Sequence, residues 1–223
     1  MRNKCLFILF FLCLTSHLCA DSPRKRHEAG FSAGLASGYV YDFAFVYHYK
    51  LFPFVGFGGS VGLCRQWYVE NSPSGQNAQG VRWWMDDAYE KISNVYVQPS
   101  ISLETPSLRI RKEADLSLQV EPSLRLFIPL DVAVMLSAKF DDPNGRITDS
   151  RVTGRTEQWC SWGVKVAAKL RIDDAIIMLG CGLSDFDIYA PRRAMAFNGV
   201  SFNSFYPKKQ LERSLFLRLS YRF

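Results

Sequence analysis

Between residues 39 and 51 the odd positions are Tyr39, Tyr41, Phe43, Phe45, Tyr47, Tyr49 and Leu51, while Asp42, Ala44, His48 and Lys50 lie between them, with Val46 the exception. A period of two is that of a β-strand, whose successive side chains leave opposite faces. After Phe52-Pro53-Phe54 the pattern resumes, with Val55, Phe57, Val61, Leu63 and Trp67 on one face and Gly56, Gly58, Ser60, Gly62, Cys64 and Gln66 on the other. The same alternation runs through 94–104, 116–126, 132–138, 162–171, 177–183 and 211–223. No segment of useful length follows a helical period. The longest runs match or exceed the ~9–11 residues with which a tilted strand crosses a bilayer, against ~5–6 in a soluble sheet. The pattern predicts an all-β chain.

A soluble sandwich would alternate as well. Two features favour a closed antiparallel up-and-down transmembrane barrel instead. The polar faces mix Gly, Ser and Gln with long Arg, Lys and Glu, as a narrow interior of paired charges requires. Aromatic residues gather near strand ends, at Phe52, Phe54, Trp67, Tyr68, Trp159, Trp162, Tyr189, Tyr221 and Phe223, as interfacial girdles do. A sheet in hydrocarbon must close on itself, since an open edge leaves backbone groups unpaired.

Short connections fall near Ser37-Gly38, Phe52–Phe54, Thr105-Pro106, Ile128–Asp131 and Ile172–Asp174, and long ones at Glu70–Lys91, Asp141–Thr156 and Ala190–Gln210. Keeping all three long loops on one side requires Ser107–Glu113 to be a strand, with Leu108 and Ile110 outward and Arg109 and Arg111 inward. The expectation is ten strands with both termini on the side of the short turns. Eight is the alternative, if Ser107–Glu113 and the weak first strand (Phe31, Ala33, Leu35) are not separate spans.

The first twenty residues stand apart. Arg2 and Lys4 precede an apolar core, Leu6–Leu14, and Ser16–Ala20 offers a small residue before Asp21. This is the layout of a cleaved secretory signal peptide over 1–20, followed by a short leader (21–27) and the barrel domain (28–223). Removing Arg2 and Lys4 lowers the formal charge of +6 to +4, since 1–20 hold no Asp or Glu. The remaining excess is spread along the chain, so nucleic acid is not an expected partner. No apolar run reaches ~18 residues after the leader, so no spanning helix is expected. Cys64, Cys160 and Cys181 show neither disulfide nor zinc spacing.

The last strand, LERSLFLRLSYRF, places Leu211, Leu215, Leu217, Leu219, Tyr221 and Phe223 on one face and ends on an aromatic. It resembles the C-terminal sorting signal of bacterial outer-membrane β-barrels, and over 28–223 the alternation is similar to that of the small OmpA/OmpX-like barrels. The resemblance implies an integral outer-membrane location in a Gram-negative bacterium. It also implies that Leu215, Leu217, Leu219, Tyr221 and Phe223 form an assembly signal for the barrel-assembly machinery. Arg213 departs from the apolar face.

Candidate chemistry is sparse. His48 lies opposite Gly58 if the turn centres on Pro53, with Ser60 diagonal to it and Asp42 on the same face. A Ser-His-Asp arrangement fails on distance, because Asp42 is roughly 20 Å along the strand from His48. Asp42, His48 and Lys50 are expected in an interior hydrogen-bonded network, and His27 in a solvated tail. Lys165, Lys169, Arg171, Arg125, Glu121, Arg218 and Arg222 line the interior, and Gly56, Gly58, Gly62, Gly30 and Gly34 leave room for such residues across it. A barrel of eight or ten strands is filled by them rather than open. Asp141-Asp142-Pro143-Asn144-Gly145 reads as a turn, not a metal site.

Among the loops, Arg82, Trp83, Trp84, Met85, Phe202, Phe205 and Tyr206 are the candidate contacts for an extracellular protein or other surface ligand, being residue types that anchor interfaces. The competing assignment folds them over the barrel mouth. The expected function is a structural or adhesion-like surface role for a monomeric barrel in outer-membrane lipid, with no enzyme activity and no cofactor. A narrow, weakly anion-selective (porin-like) pore is the alternative, and a lipid-acting enzyme the third reading.

Overall fold

The computed structural model describes residues 25–69, 72–86, 93–128, 132–141 and 147–223, and the alternating segments are strands throughout. In chain order these are β1 (His27–Ala36), β2 (Val40–Phe52), β3 (Val55–Gln66), β4 (Ser74–Gln76), β5 (Arg82–Asp86), β6 (Ser93–Glu104), β7 (Leu108–Arg111) and β8 (Ala114–Ile128). There follow β9 (Val132–Asp141), β10 (Ile147–Thr156), β11 (Cys160–Ile172), β12 (Ala175–Ser184), a helical turn α1 (Ala190–Arg193), β13 (Ala196–Phe197), β14 (Val200–Ser201), a 3-10 turn (Phe202–Ser204) and β15 (Glu212–Arg222).

Eight strands run antiparallel in the order β11, β12, β15, β1, β2, β3, β6, β8, and β8 pairs back onto β11. The sheet is a closed barrel. The first and last long strands meet in it, with Phe31 beside Leu219 and Leu35 beside Leu215. His27 and Phe223 exchange backbone hydrogen bonds at 3.0 and 2.9 Å, and their rings stack at 5.6 Å.

Eight strands, not ten, build the barrel. The weak first strand is a full member, whereas Ser107–Glu113 supplies only the four-residue β7, too short to span. It pairs with the start of β8 beyond the end of β6. Val132–Ala138 is not a barrel strand either: β9 pairs with β10 and β5 in a separate four-stranded sheet, β10-β9-β5-β4. Its period of two is real, because one of its faces is buried, but the burying partner is protein rather than lipid. Ile128 therefore opens a long connection and not a short turn, and β8 runs opposite to the expected direction. The two miscounted strands cancel, so the expected sidedness of the long connections survives. Connections 67–92, 129–159 and 185–211 leave one end, and Lys25 and Phe223 with the turns at 53–54, 105–113 and 173–174 occupy the other.

The signal peptide assigned to 1–20 lies outside the described residues. The described part of the leader is tied down. Lys25 pairs with Asp174, the Arg26 carbonyl accepts from Lys50 N, and His27 belongs to β1 rather than to a free tail.

The outward positions are apolar, and Phe31, Phe43, Phe45, Val61, Leu118, Leu179, Leu215 and Leu219 are all exposed. Trp67, Tyr68, Trp159 and Trp162 ring the loop end, and Phe52, Tyr221 and Phe223 the turn end, all exposed. In water such a surface would drive aggregation, whereas in a bilayer it is the solvated face between two aromatic girdles. Tyr189 was expected in a girdle but is buried above the barrel, stacked 6.0 Å from Tyr206.

Candidate functional site: the sealed lumen and the folded cap

The inward positions of the barrel strands carry Glu28, Asp42, Glu104, Asp115, Glu121 and Glu212, set against Lys50, Arg125, Lys165, Lys169, Arg171, Arg218 and Arg222. A charge in such a space must find a partner, since its desolvation costs several kcal/mol. Each acid does so. Lys169 Nζ donates to Glu28 (2.7 Å) and Glu104 (3.2 Å), and Lys50 also pairs with Glu104. Arg218 grips both oxygens of Glu121 at 2.8 and 3.3 Å. Arg125 holds Asp42 at 2.8 Å and faces Glu212 at 3.8 Å, while Arg171 takes Asp115. Lys165 sits 5.5 Å from the Phe216 ring centre.

Three of the glycines expected to leave room, Gly56, Gly58 and Gly62 of β3, do so. Side chains from β2 and β6 meet above β3 at its inward glycines. His48 reaches Ser100 across Gly58, Tyr96 reaches Asp42 over Gly62, and Lys50 reaches Glu104 past Gly56. A Cβ on Gly62 would meet the Tyr96 ring, and one on Gly58 would meet His48. The same crossings fill the lumen. Toward the turn end a vestibule of about 640 Å³ remains, lined by residues including Lys50, Glu104, Arg171 and Asp174. At its rim the Lys25 hydrogen bond holds the Asp174 carboxyl below its ordinary range.

A Ser-His-acid set does occur here, with different members from those read in the sequence. His48 Nε2 is 3.0 Å from Ser100 Oγ and 3.7 Å from Glu121 Oε1. A nucleophile triad needs serine and acid on opposite ring nitrogens. Here both approach Nε2, and Glu121 is already held by Arg218. The arrangement packs and neutralises the lumen.

At the loop end the lumen turns apolar. Val40, Val46, Cys64, Tyr96 and Phe127 are continuous with a core made by the three long connections, including Trp83, Met85, Leu136, Phe186, Met195, Phe202 and Tyr206. Residues 74–76, 82–86, 132–141 and 147–156 supply the four-stranded sheet, whose inner face contributes Trp83, Met85, Val134, Leu136 and Ala138. Connection 185–211 packs beneath it. Its base is pinned by Gln158, which donates to the Asp185 carbonyl and accepts from Asp187 N, both at 3.1 Å. The connections form a folded cap that stoppers the mouth.

This placement divides the candidate contacts. Trp83, Met85, Phe202 and Tyr206 are buried in the cap and cannot meet a partner without its opening. Phe205 is half-buried against Phe202. Arg82 and Trp84 lie on the outer face of the sheet, Trp84 beside Lys139. The same face carries Met135 and Arg151, in contact at 3.8 Å, which sequence reasoning missed. Their alternation was legible, but it was assigned to a lipid-facing strand and a loop.

No protein-family model matches the chain, and no curated protein does. Among solved structures it is similar to Neisserial surface protein A, with 11% identity over 88% of this chain and 96% of that one and a TM-score of 0.39. It is also similar to Ail, the attachment invasion locus protein of Yersinia pestis, solved with the heparin analogue sucrose octasulfate (14% identity, 89% and 97% coverage, TM-score 0.31). A third is a major outer membrane protein from Thermus thermophilus (14% identity, 89% and 99% coverage, TM-score 0.46). Closure through the β8–β11 seam and the apolar exterior define the class independently: the chain is a small, eight-stranded transmembrane β-barrel.

Proposed function

We propose that this protein is a monomeric integral outer-membrane barrel, exported by a cleaved signal peptide, that displays a folded platform for binding a surface ligand or protein. The observation that carries this reading is the cap. Three long connections, all at the end opposite Lys25 and Phe223, share an apolar core; two of them build the sheet and leave Arg82, Trp84, Met135, Lys139 and Arg151 on its outer face, and the third packs beneath it. Loops that merely joined strands would need no core. Trp, Met and Arg are enriched where proteins bind proteins, and the sheet holds them on a rigid surface. A conducting or catalytic role has less support, since the lumen charges nearly cancel and the Ser100-His48-Glu121 cluster lacks a triad's wiring.

The C-terminal strand completes the proposal. Leu215, Leu217, Leu219, Tyr221 and Phe223 face outward on β15, the strand that closes against β1, and would be read by the assembly machinery before closure.

The test is adhesion of cells carrying the intact protein, the Trp84→Ala/Arg151→Ala variant, or a barrel with 67–92, 129–159 and 185–211 cut to short turns. Loss of adhesion to matrix-coated surfaces in both variants, at equal surface levels, is expected. Equal adhesion by all three would sink the platform reading.

A further inference from the structure

Three of the four connections at the loop end are long, and the fourth, Ser37–Tyr39, is three residues, so the rim has a notch beside β1 and β2. Gly38 and Tyr39 both take left-handed backbone there, at φ 79° and 59°. Gly38 packs so closely on Ile188 and Tyr189 that a Cβ would crowd them. Beside this turn runs a groove of about 580 Å³. One wall is aromatic, made by Tyr39 edge-on to Trp67 with ring centres 5.7 Å apart. The other carries Lys208, Leu211 and Arg213. Below, the groove opens onto the lipid-facing surface at Leu35, which is 64% exposed.

The charges in it are unequal in their freedom. Its two acids are occupied, Asp187 by Arg193 and Glu212 by Arg125. Lys208 and Arg213 are exposed, and neither side chain has a hydrogen bond or ion pair with a described residue. Arg213 also holds an outward position of β15, directly above Leu215, where the strand is otherwise apolar. A cation there gains most by reaching up to an anion at headgroup depth.

We propose that this groove binds one lipid of the outer leaflet, with its phosphate headgroup between Lys208 and Arg213 and an acyl chain along Leu35, Leu211 and Leu215. A groove closed on the protein side and open to the membrane admits an amphiphile laterally. Its volume lies within the ~300–1,000 Å³ of small-molecule sites. This goes beyond the platform reading but rests on the membrane placement given with it.

Native mass spectrometry of the purified full-length barrel, released from nanodiscs of equal phosphatidylglycerol and phosphatidylcholine, tests the proposal. Wild type is expected to retain one phosphatidylglycerol in preference to phosphatidylcholine. Each of Lys208→Gln and Arg213→Gln should cut that preference about fivefold, the effect of one cation near a charged surface. Arg155→Gln, which removes the same single charge from the cap, should leave it unchanged. The proposal is overturned by three results: no preference in wild type, equal loss in the cap variant, or displacement of the lipid by glycerophosphate, which would mark a free-anion site. Heat-modifiable gel migration of every variant reports barrel closure separately, so failure of the membrane placement would appear there instead.

Discussion

His48 Nε2 lies 3.0 Å from Ser100 Oγ although a whole strand separates them, because Gly58 between them offers no side chain. The alternation of β2 places His48 inward but cannot say how far it reaches. That depends on what the neighbouring strand lacks. Ser100→Ala should therefore leave a buried imidazole nitrogen without its hydroxyl and cost ~1–3 kcal/mol. Ser60→Ala, nearer in the hairpin register, should cost less. Urea unfolding of the barrel in lipid vesicles measures both. A larger effect at Ser60 would contradict the crossing.

Glu121 and Arg218 form a deeply enclosed ion pair of the lumen, with side chains 6% and 1% exposed. Glu121→Gln should destabilise the barrel by ~3–5 kcal/mol by leaving the guanidinium uncompensated. Combining it with Arg218→Met should recover much of that loss. A double variant as unstable as the sum of the singles, in the same unfolding assay, would show that the two act independently.

How much of this was legible in the sequence depends on which partner buries a face. Period two located all eight barrel strands, and the outward sets of β2, β3 and β15 were read correctly. The interior assignments of Asp42, His48 and Lys50 hold, and so does the use of Gly58 and Gly62 as space. What failed is the nature of the apolar partner. Val134, Leu136 and Ala138 alternate as a lipid-facing strand does, yet they face Trp83 and Phe202 in the cap core. Hydropathy alone does not separate protein from lipid. The aromatics of 82–85 were noticed, but whether Trp83 or Trp84 points outward rests on pairing with β9, a contact far away in sequence.

Sidedness is directly testable. Single cysteines at Ser74, Thr153 and Asn203, one in each long connection and all exposed, are placed in a protein lacking Cys64, Cys160 and Cys181. All three should react with an impermeant thiol reagent on intact cells, and one at Ser107 should not. Labelling at Ser107, or protection of Thr153 alone, would place β8 in the wrong direction.

Phe223 is 53% exposed at the rim, so its ring contributes little to the finished barrel beyond its stack on His27. Burial of such a side chain is worth at most ~1.5–3 kcal/mol and less at a wet edge. Phe223→Ala should sharply lower outer-membrane levels in cells, while the same variant refolds from denaturant into detergent with nearly normal heat-modifiable migration. Normal cellular levels would make the terminal aromatic incidental to assembly.

The barrel is sealed twice, by paired charges within the lumen and by an apolar cap over its mouth. Single-channel recording of the purified protein in a planar bilayer tests this most directly. The predicted record is a flat baseline for the wild type, with conductance appearing only when 67–92, 129–159 and 185–211 are trimmed and lumen ion pairs such as Glu121–Arg218 are also removed. Steady, anion-selective steps from the intact protein would contradict it.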